Sequence, residues 1–313
     1  AAAGLGLSEA LTYGFVAPAE LARVGAPPAC VILKNPLTVE RSVMRTSLLP
    51  GLLDALARAR RHGVNDVRLF SVARTFHTRV SGADLDDGAL PYERMDFVAV
   101  MCGHRGAGLE QKKPLDVYDA KGLALELLAR VLFRKVTLRT GQDVVARYGQ
   151  LHPRALAELW AEDVLLGQLG ALHPDVTDEL GLDDACYVVA LNVDALKKLA
   201  PVTPQYRPIP VLPASSRDLA LLVHEDVAAG TVEQTMLNAA GELCEAVELF
   251  DVFRGKGVAP DHRSLAFHLR FRDPKAATDP DHARTLTDKE VDRCTQAVVK
   301  ALRDELGATV RGG

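Results

Sequence analysis

Between residues 201 and 213 the chain reads PVTPQYRPIPVLP, and its five prolines decide how the whole sequence is organised. Each proline fixes φ and removes a backbone donor, so neither a helix nor a central strand can run through this segment. A linker there, with its boundary near Gln205, predicts a first domain of residues 1–205 and a second of residues 206–313. Two domains also suit a chain of this length. No internal repeat or low-complexity tract interrupts either side.

The second domain is the more legible. Residues 217–224 (RDLALLVH) are apolar and β-prone, a buried strand. Thr231 opens T-V-E-Q, a capping-box pattern in which Thr231 caps a helix and Gln234 reaches back to its backbone. Val232, Met236, Leu237 and Ala240 supply that helix with an apolar stripe. Residues 246–253 and 264–271 alternate with period two around a Gly-rich loop (RGKGV), which predicts a hairpin. A second box, Thr287 to Glu290, opens a helix striped by Val291, Cys294, Val298 and Ala301 or Leu302. Gly307 ends it, and ATVR supplies a last short strand. The order β-α-β-β-α-β is the ferredoxin-like split βαβ arrangement.

Alternation along residues 264–271 sends Leu265, Phe267, Leu269 and Phe271 beneath the two helices, and His268, Arg270 and Arg272 to the other side. Both helices of this topology cover one face. The other is left open, a surface where single-stranded RNA sets phosphates against guanidinium groups and stacks its bases. The candidate RNA-binding set is therefore Arg254 and Lys256 on the hairpin loop, Arg263 at the start of the next strand, and His268, Arg270 and Arg272 along it. Arg217, at the opening of the first strand, either joins them or pairs with a neighbouring carboxylate. Charge alone does not favour RNA. From residue 206 onward 14 Lys and Arg stand against 17 Asp and Glu, so a solvated face is the competing reading.

The first domain mixes elements without regular βαβ alternation, which makes the class α+β. Strands are expected at residues 11–16, 29–33, 67–77 and 95–102, the last two joined by a polar loop rich in Asp and Gly. Helices are expected at 47–62, with Pro50 in its first turn, at 119–132, and in a short piece at 154–161. GHRGAG (103–108) fits neither phosphate-loop pattern and reads as a turn. His152 and His173 precede prolines, and Asp183–Asp184 follows Gly181, so all four read as turn or loop chemistry. Arg58, Arg60 and Arg61 are a solvated helix face or a partner contact. The five cysteines lie far apart with no CxxC, which argues against zinc or a disulfide framework and for a reducing, cytoplasmic setting. No apolar run reaches the roughly 18 residues of a membrane helix, and a start without Met or a basic leader reads as cut from a longer chain.

Eight strings carry a resemblance to a known family. NPLTVERSVMRTSLLPGLL (35–53), VRLFSVARTF (67–76), DVYDAKG (116–122), LGQLGALHP (166–174), SRDLALLV (216–223), VELFDVFRG (247–255), SLA (264–266) and TLTDKEV (285–291) resemble bacterial phenylalanyl-tRNA synthetase beta subunits, in the family's order. The resemblance implies the C-terminal part of such a subunit: a class II aminoacyl-tRNA synthetase-like antiparallel sheet domain, then a ferredoxin-fold anticodon-binding domain. It implies tRNA(Phe) and a catalytic alpha subunit as partners, in a heterotetramer of two alpha and two beta chains. ATP and Mg²⁺ are implied for the whole enzyme and neither for this part. His77 stands where the second class II motif would carry its arginine, and residues 186–200 lack the glycines and arginine of the third. Without positioned positive charge the phosphoryl chemistry has no mechanism, so no catalytic residue is expected. The alternative is a freestanding class II-like paralogue that binds a small molecule or acts as a regulator.

Overall fold

Odd and even residues of YERMDFVAVMC bury themselves in two different cores, and this fixes the architecture of the first unit. In the computed structural model, β1 (Ser8–Glu9), β2 (Val67–His77), β3 (Tyr92–Cys102), β4 (Thr137–Arg139), β5 (Leu151–Ala161), β6 (Val164–Leu172) and β7 (Cys186–Asn192) form one sheet. Its order is β1-β2-β3-β7-β6-β5-β4, with β1 parallel to β2 and every other pair antiparallel. Phe97, Ala99 and Met101 face a core closed by helix α2 (Val117–Leu132), while Val98, Val100 and Cys102 face one closed by α1 (Leu49–Arg61). Helices on both faces explain why the inner strands read as continuous apolar runs. The described residues are 1–79, 90–106, 113–199, 202–204, 206, 208–210 and 212–311. The chain divides into two units, Ala1–Pro204 and Gln205–Gly313.

Two close contacts are decided by glycine. A Cβ on Gly167 would lie 2.0 Å from the Ala190 carbonyl oxygen of β7, so only glycine lets β6 and β7 approach there. Gly307 ends the last helix in the left-handed region at φ 64°.

Several sequence expectations for this unit need correction. Residues 154–161, expected as a short helix, lie in β5, an eleven-residue strand hairpinned to β6. Ala, Leu and Glu favour a helix by only tenths of a kcal/mol each, and pairing on both sides with burial outweighs that. The strand expected at 11–16 shrinks to Phe15–Val16 against Val43–Met44, and of residues 29–33 only Ile32 makes a bridge, to Val43. The Asp- and Gly-rich loop after residue 79 and the end of GHRGAG lie outside the described residues.

The second unit has strands β8 (Ser215–His224), β9 (Cys244–Phe253), β10 (His262–Phe271) and β11 (Thr309–Val310), in the order β9-β10-β8-β11. Helix α5 (Ala229–Ala240, after the short helices α3, Gln142–Arg147, and α4, Val193–Lys198) and α6 (Asp288–Leu306) share one core with the sheet. Phe267, Leu269 and Phe271 are fully buried in it beside Val232, Met236, Val291, Val298 and Leu302. The Thr287–Glu290 box forms, Glu290 accepting from the Thr287 backbone at 2.9 Å. The expected Thr231 cap does not. The Thr231 and Val232 amides donate to the Ala228 carbonyl, so the helix begins earlier with Ala228 at its N-cap.

Candidate nucleic-acid interface and core-domain cleft

Residues directly opposite in antiparallel strands share a face, so the register maps the open side of the second sheet. Its rows across β8, β10 and β9 are Leu222–Ser264–Phe253, Ala220–Ala266–Asp251, Asp218–His268–Glu248 and Ser216–Arg270–Ala246. Ala220 and Ala266 form a narrow shelf beside Leu222, Ser264 and the Phe253 ring, with the Asp251 carboxylate on β9. The last two rows carry most of the charge.

The charged half is already paired. His268 Nδ1 lies 2.6 Å from Asp218. Arg270 Nε lies 3.3 Å from Glu245, with Glu248 at 4.0 Å. Arg272 donates to Glu245 at 3.0 Å and to the Leu212 carbonyl, anchoring the end of the linker segment. The face is a ladder of mixed charge with no surplus of cations.

Two residues of the expected RNA-binding set do not lie on the open face. Arg263 has the parity of Leu265, so it points to the helix side, where it donates to the Val227 carbonyl at 2.6 Å and sits 3.5 Å from Glu225. Arg217 shares the parity of Leu219 and Leu221, and it pairs with Asp288 and Asp292 of α6 at 3.1 and 3.0 Å. Of the sequence's two readings of Arg217, the carboxylate pairing is the one realised. On the hairpin loop Arg254 grips Glu225 through two bonds of 2.6 and 3.0 Å, and Lys256 stands exposed.

Sequence reasoning missed the aromatic edge. Phe250 and Phe253 on β9 are 59% and 38% exposed, and the Arg311 guanidinium lies 4.9 Å from the Phe253 ring centre. Register shifts between Cys244 and Ala246 and between Leu249 and Asp251 insert one extra residue each. The second bulge turns Phe253 onto the open face, where strict alternation from Ala246 would have buried it. The aromatic spacing in LFDVF is the one available signal.

In the first unit, the ends of β2 and β3 carry a hydrogen-bonded network of Thr75, His77, Arg94 and Asp96. Asp96, nearly fully buried, accepts two bonds from Arg94 and one from the Thr75 hydroxyl, all at 2.8 Å. His77 Nε2 lies 2.8 Å from that hydroxyl. Burial, and secondarily the Arg94 charge, holds His77 below the usual imidazole range. Across the same sheet face, fully buried Glu158 accepts from Arg147 at 3.0 Å, Tyr148 at 3.1 Å and Trp160 at 2.9 Å. Burial and the Glu158 charge push the Tyr148 phenol up to about 12. Arg105 joins Asp116 and Asp119 at the start of α2, giving the DVYDAKG string a capping role.

A four-stranded sheet in the order β9-β10-β8-β11, backed by two helices on one face, defines a ferredoxin-like fold. Residues 210–311 match the ferredoxin-fold anticodon binding domain. Residues 1–193 match the phenylalanyl tRNA synthetase beta chain CLM domain. The chain belongs to the phenylalanyl-tRNA synthetase beta chain family. Similar relatives are the phenylalanine–tRNA ligase beta subunits of Clostridium tetani (31% identical, covering 98% of this chain and 36% of that protein), Geobacter sulfurreducens (33%, 98% and 37%) and Anaeromyxobacter dehalogenans (36%, 98% and 37%). The chain thus spans little more than a third of their length. A solved pyrrolysyl tRNA synthetase from Desulfitobacterium hafniense is 14% identical, with a TM-score of 0.45 over 62% of this chain and 61% of that one.

Proposed function

We propose that this chain is the synthetase-like and anticodon-binding portion of a phenylalanine–tRNA ligase beta subunit, not itself catalytic, which docks the catalytic alpha subunit and binds tRNA(Phe). The observation that carries the reading is the succession of the two family domains along one chain, the second presenting an open face with a stacking edge. Bases of a single-stranded loop would stack on Phe253 and Phe250 beside the shelf of Ala220 and Ala266, with Arg311, Arg254 and Lys256 near the backbone.

In this reading the first unit's cleft is not an ATP site, because its two arginines, Arg94 and Arg147, are each paired with a buried carboxylate. Triphosphate chemistry needs uncompensated cations, so the reading assigns it to the partner subunit.

For that partner the first unit offers an apolar surface. Leu11, Tyr13, Phe15, Ile32, Leu37 and Val39 are all exposed, with the Arg41 guanidinium 3.6 Å from the Tyr13 ring centre. Exposed apolar groups of this density mark interaction surfaces. A cytoplasmic heterotetramer of two alpha and two beta chains is the assembly that suits it. No helix among the described residues is long and apolar enough to cross a membrane.

Gel filtration of the chain with the alpha subunit of the same organism tests the assignment. Co-elution is expected, and Leu37→Asp combined with Val39→Asp should abolish it. Separate elution of the wild-type proteins would refute the docking role.

A further inference from the structure

The sheet face under the start of α1 ends in a cleft of about 330 Å³, within the range of small-molecule sites. Its floor is aliphatic: Val98 on β3, Val188 and Ala190 on β7, and Leu165 on β6. Polar groups interrupt that floor in one band across the strands. Asp96 lies opposite Asn192, and two residues along, Gln168 lies between Ala190 and Glu158. Asp96 and Glu158 are therefore three strand spacings apart, roughly 14 Å in the lateral direction.

Each buried carboxylate carries its own guanidinium, so the ionic groups of the cleft sum to zero. Such a site gives no advantage to a polyanion. Hydrogen-bonding capacity nonetheless remains. A carboxylate has about four lone-pair positions and a guanidinium five N–H donors. Asp96 uses three of its positions, and Arg94 spends only two donors, both on Asp96. The half-buried Gln168 amide lines the cleft and makes no hydrogen bond to any described residue. The Ser47 hydroxyl accepts from the Leu49 amide and keeps its own proton to donate. Buried polar groups left with spare capacity are costly in a core, and they are the usual means by which a pocket orients a ligand.

We propose that this cleft binds a zwitterionic α-amino acid with an apolar side chain, as a non-reacting ligand. Its carboxylate takes the spare donors of Arg94 and Ser47, its ammonium the spare acceptors of Asp96 and the Gln168 amide, and its side chain the aliphatic floor. A zwitterion is the ligand class whose two charges match a paired Arg94 and Asp96 while leaving the cleft neutral. The site lies wholly in the first unit, so its test does not involve RNA or the second unit.

The experiment is isothermal titration of the 313-residue chain with L-leucine and L-phenylalanine, alongside N-acetyl-L-leucinamide and adenosine. Saturable binding of at least one free amino acid is expected, with Kd near or below about 1 mM. The capped derivative, which lacks both charges, should bind at least tenfold more weakly. Gln168→Leu should weaken binding at least fivefold while leaving the thermal unfolding midpoint in place, and Asp96→Asn should abolish it. Because Asp96→Asn breaks a buried pair and can unfold the unit, Gln168→Leu is the deciding variant. No saturation by either amino acid, equal binding of the capped form, adenosine binding in their place, or an unchanged affinity of Gln168→Leu would each overturn the proposal.

Discussion

Replacing Phe253 with leucine isolates the stacking role of the open face. Phe253 is 38% exposed, and its ring contacts the Arg311 guanidinium and packs against Gly255. Leucine keeps much of the buried apolar area and removes the π face. Base–aromatic stacking is worth about 1–3 kcal/mol per base, so Phe253→Leu should weaken tRNA(Phe) binding by about 5- to 150-fold. Loss of the Arg311 contact adds at most about 1 kcal/mol at an exposed site. Phe253→Tyr should restore affinity, because tyrosine stacks equally well. Filter binding across a salt series separates stacking from charge: Phe253→Leu should lower affinity without changing the slope, whereas Arg311→Ala should reduce the slope by about one unit. Arg270→Ala is the contrasting case. Arg270 is held by Glu245 and Glu248, so its removal bares Glu248 and leaves Glu245 to Arg272, weakening binding and flattening the slope by a similar unit while folding stays intact. Wild-type affinity in Phe253→Leu would refute the stacking argument, and the anticodon contact would then lie off the shelf.

Other outcomes follow from the same structure. The chain alone should show no amino-acid-dependent ATP–pyrophosphate exchange, since His77 and two neutralised arginines replace the needed cations; robust exchange in a preparation free of host synthetase would contradict this. Residues 206–313 expressed alone should unfold cooperatively on heating, because their strands, helices and core are all internal to the segment; a molten, dye-binding product would count against it. Gly167→Ala should cost more than about 3 kcal/mol, since its Cβ meets the Ala190 carbonyl at 2.0 Å, whereas Gly63→Ala, with open space around it, should cost about 1 kcal/mol; denaturant midpoints compare the two. His77 is held below its unfolded value near 6.5, so the unfolded chain binds the proton more readily and stability falls as pH drops through about 6.5 toward the folded value; His77→Gln should flatten that dependence between pH 5 and 7 in urea unfolding.

What the sequence by itself determined was local. The proline-rich segment, the Thr287–Glu290 box, the Gly307 stop and the alternation of Leu265, Phe267, Leu269 and Phe271 act through φ restriction, caps and period, which need no distant partner. These, with the order of the elements, were enough for the ferredoxin-like unit. Tertiary structure decided whatever depended on a neighbour. Leu156 to Ala161 became a strand because β4 and β6 flank it, against its own helical bias. Arg217 and Arg263 turned to the helix side, where Asp288, Asp292 and the Val227 carbonyl hold them. Phe253 reached the open face through a bulge that alternation cannot foresee. The two ion pairs at the cleft, Arg94 with Asp96 and Arg147 with Glu158, share one sheet face although their carboxylates are 62 positions apart in sequence, because the strand order reverses after β3. Periodicity reports which side of an element is apolar, but a charged residue's partner is set by register and packing between elements, and those are properties of the assembled sheet.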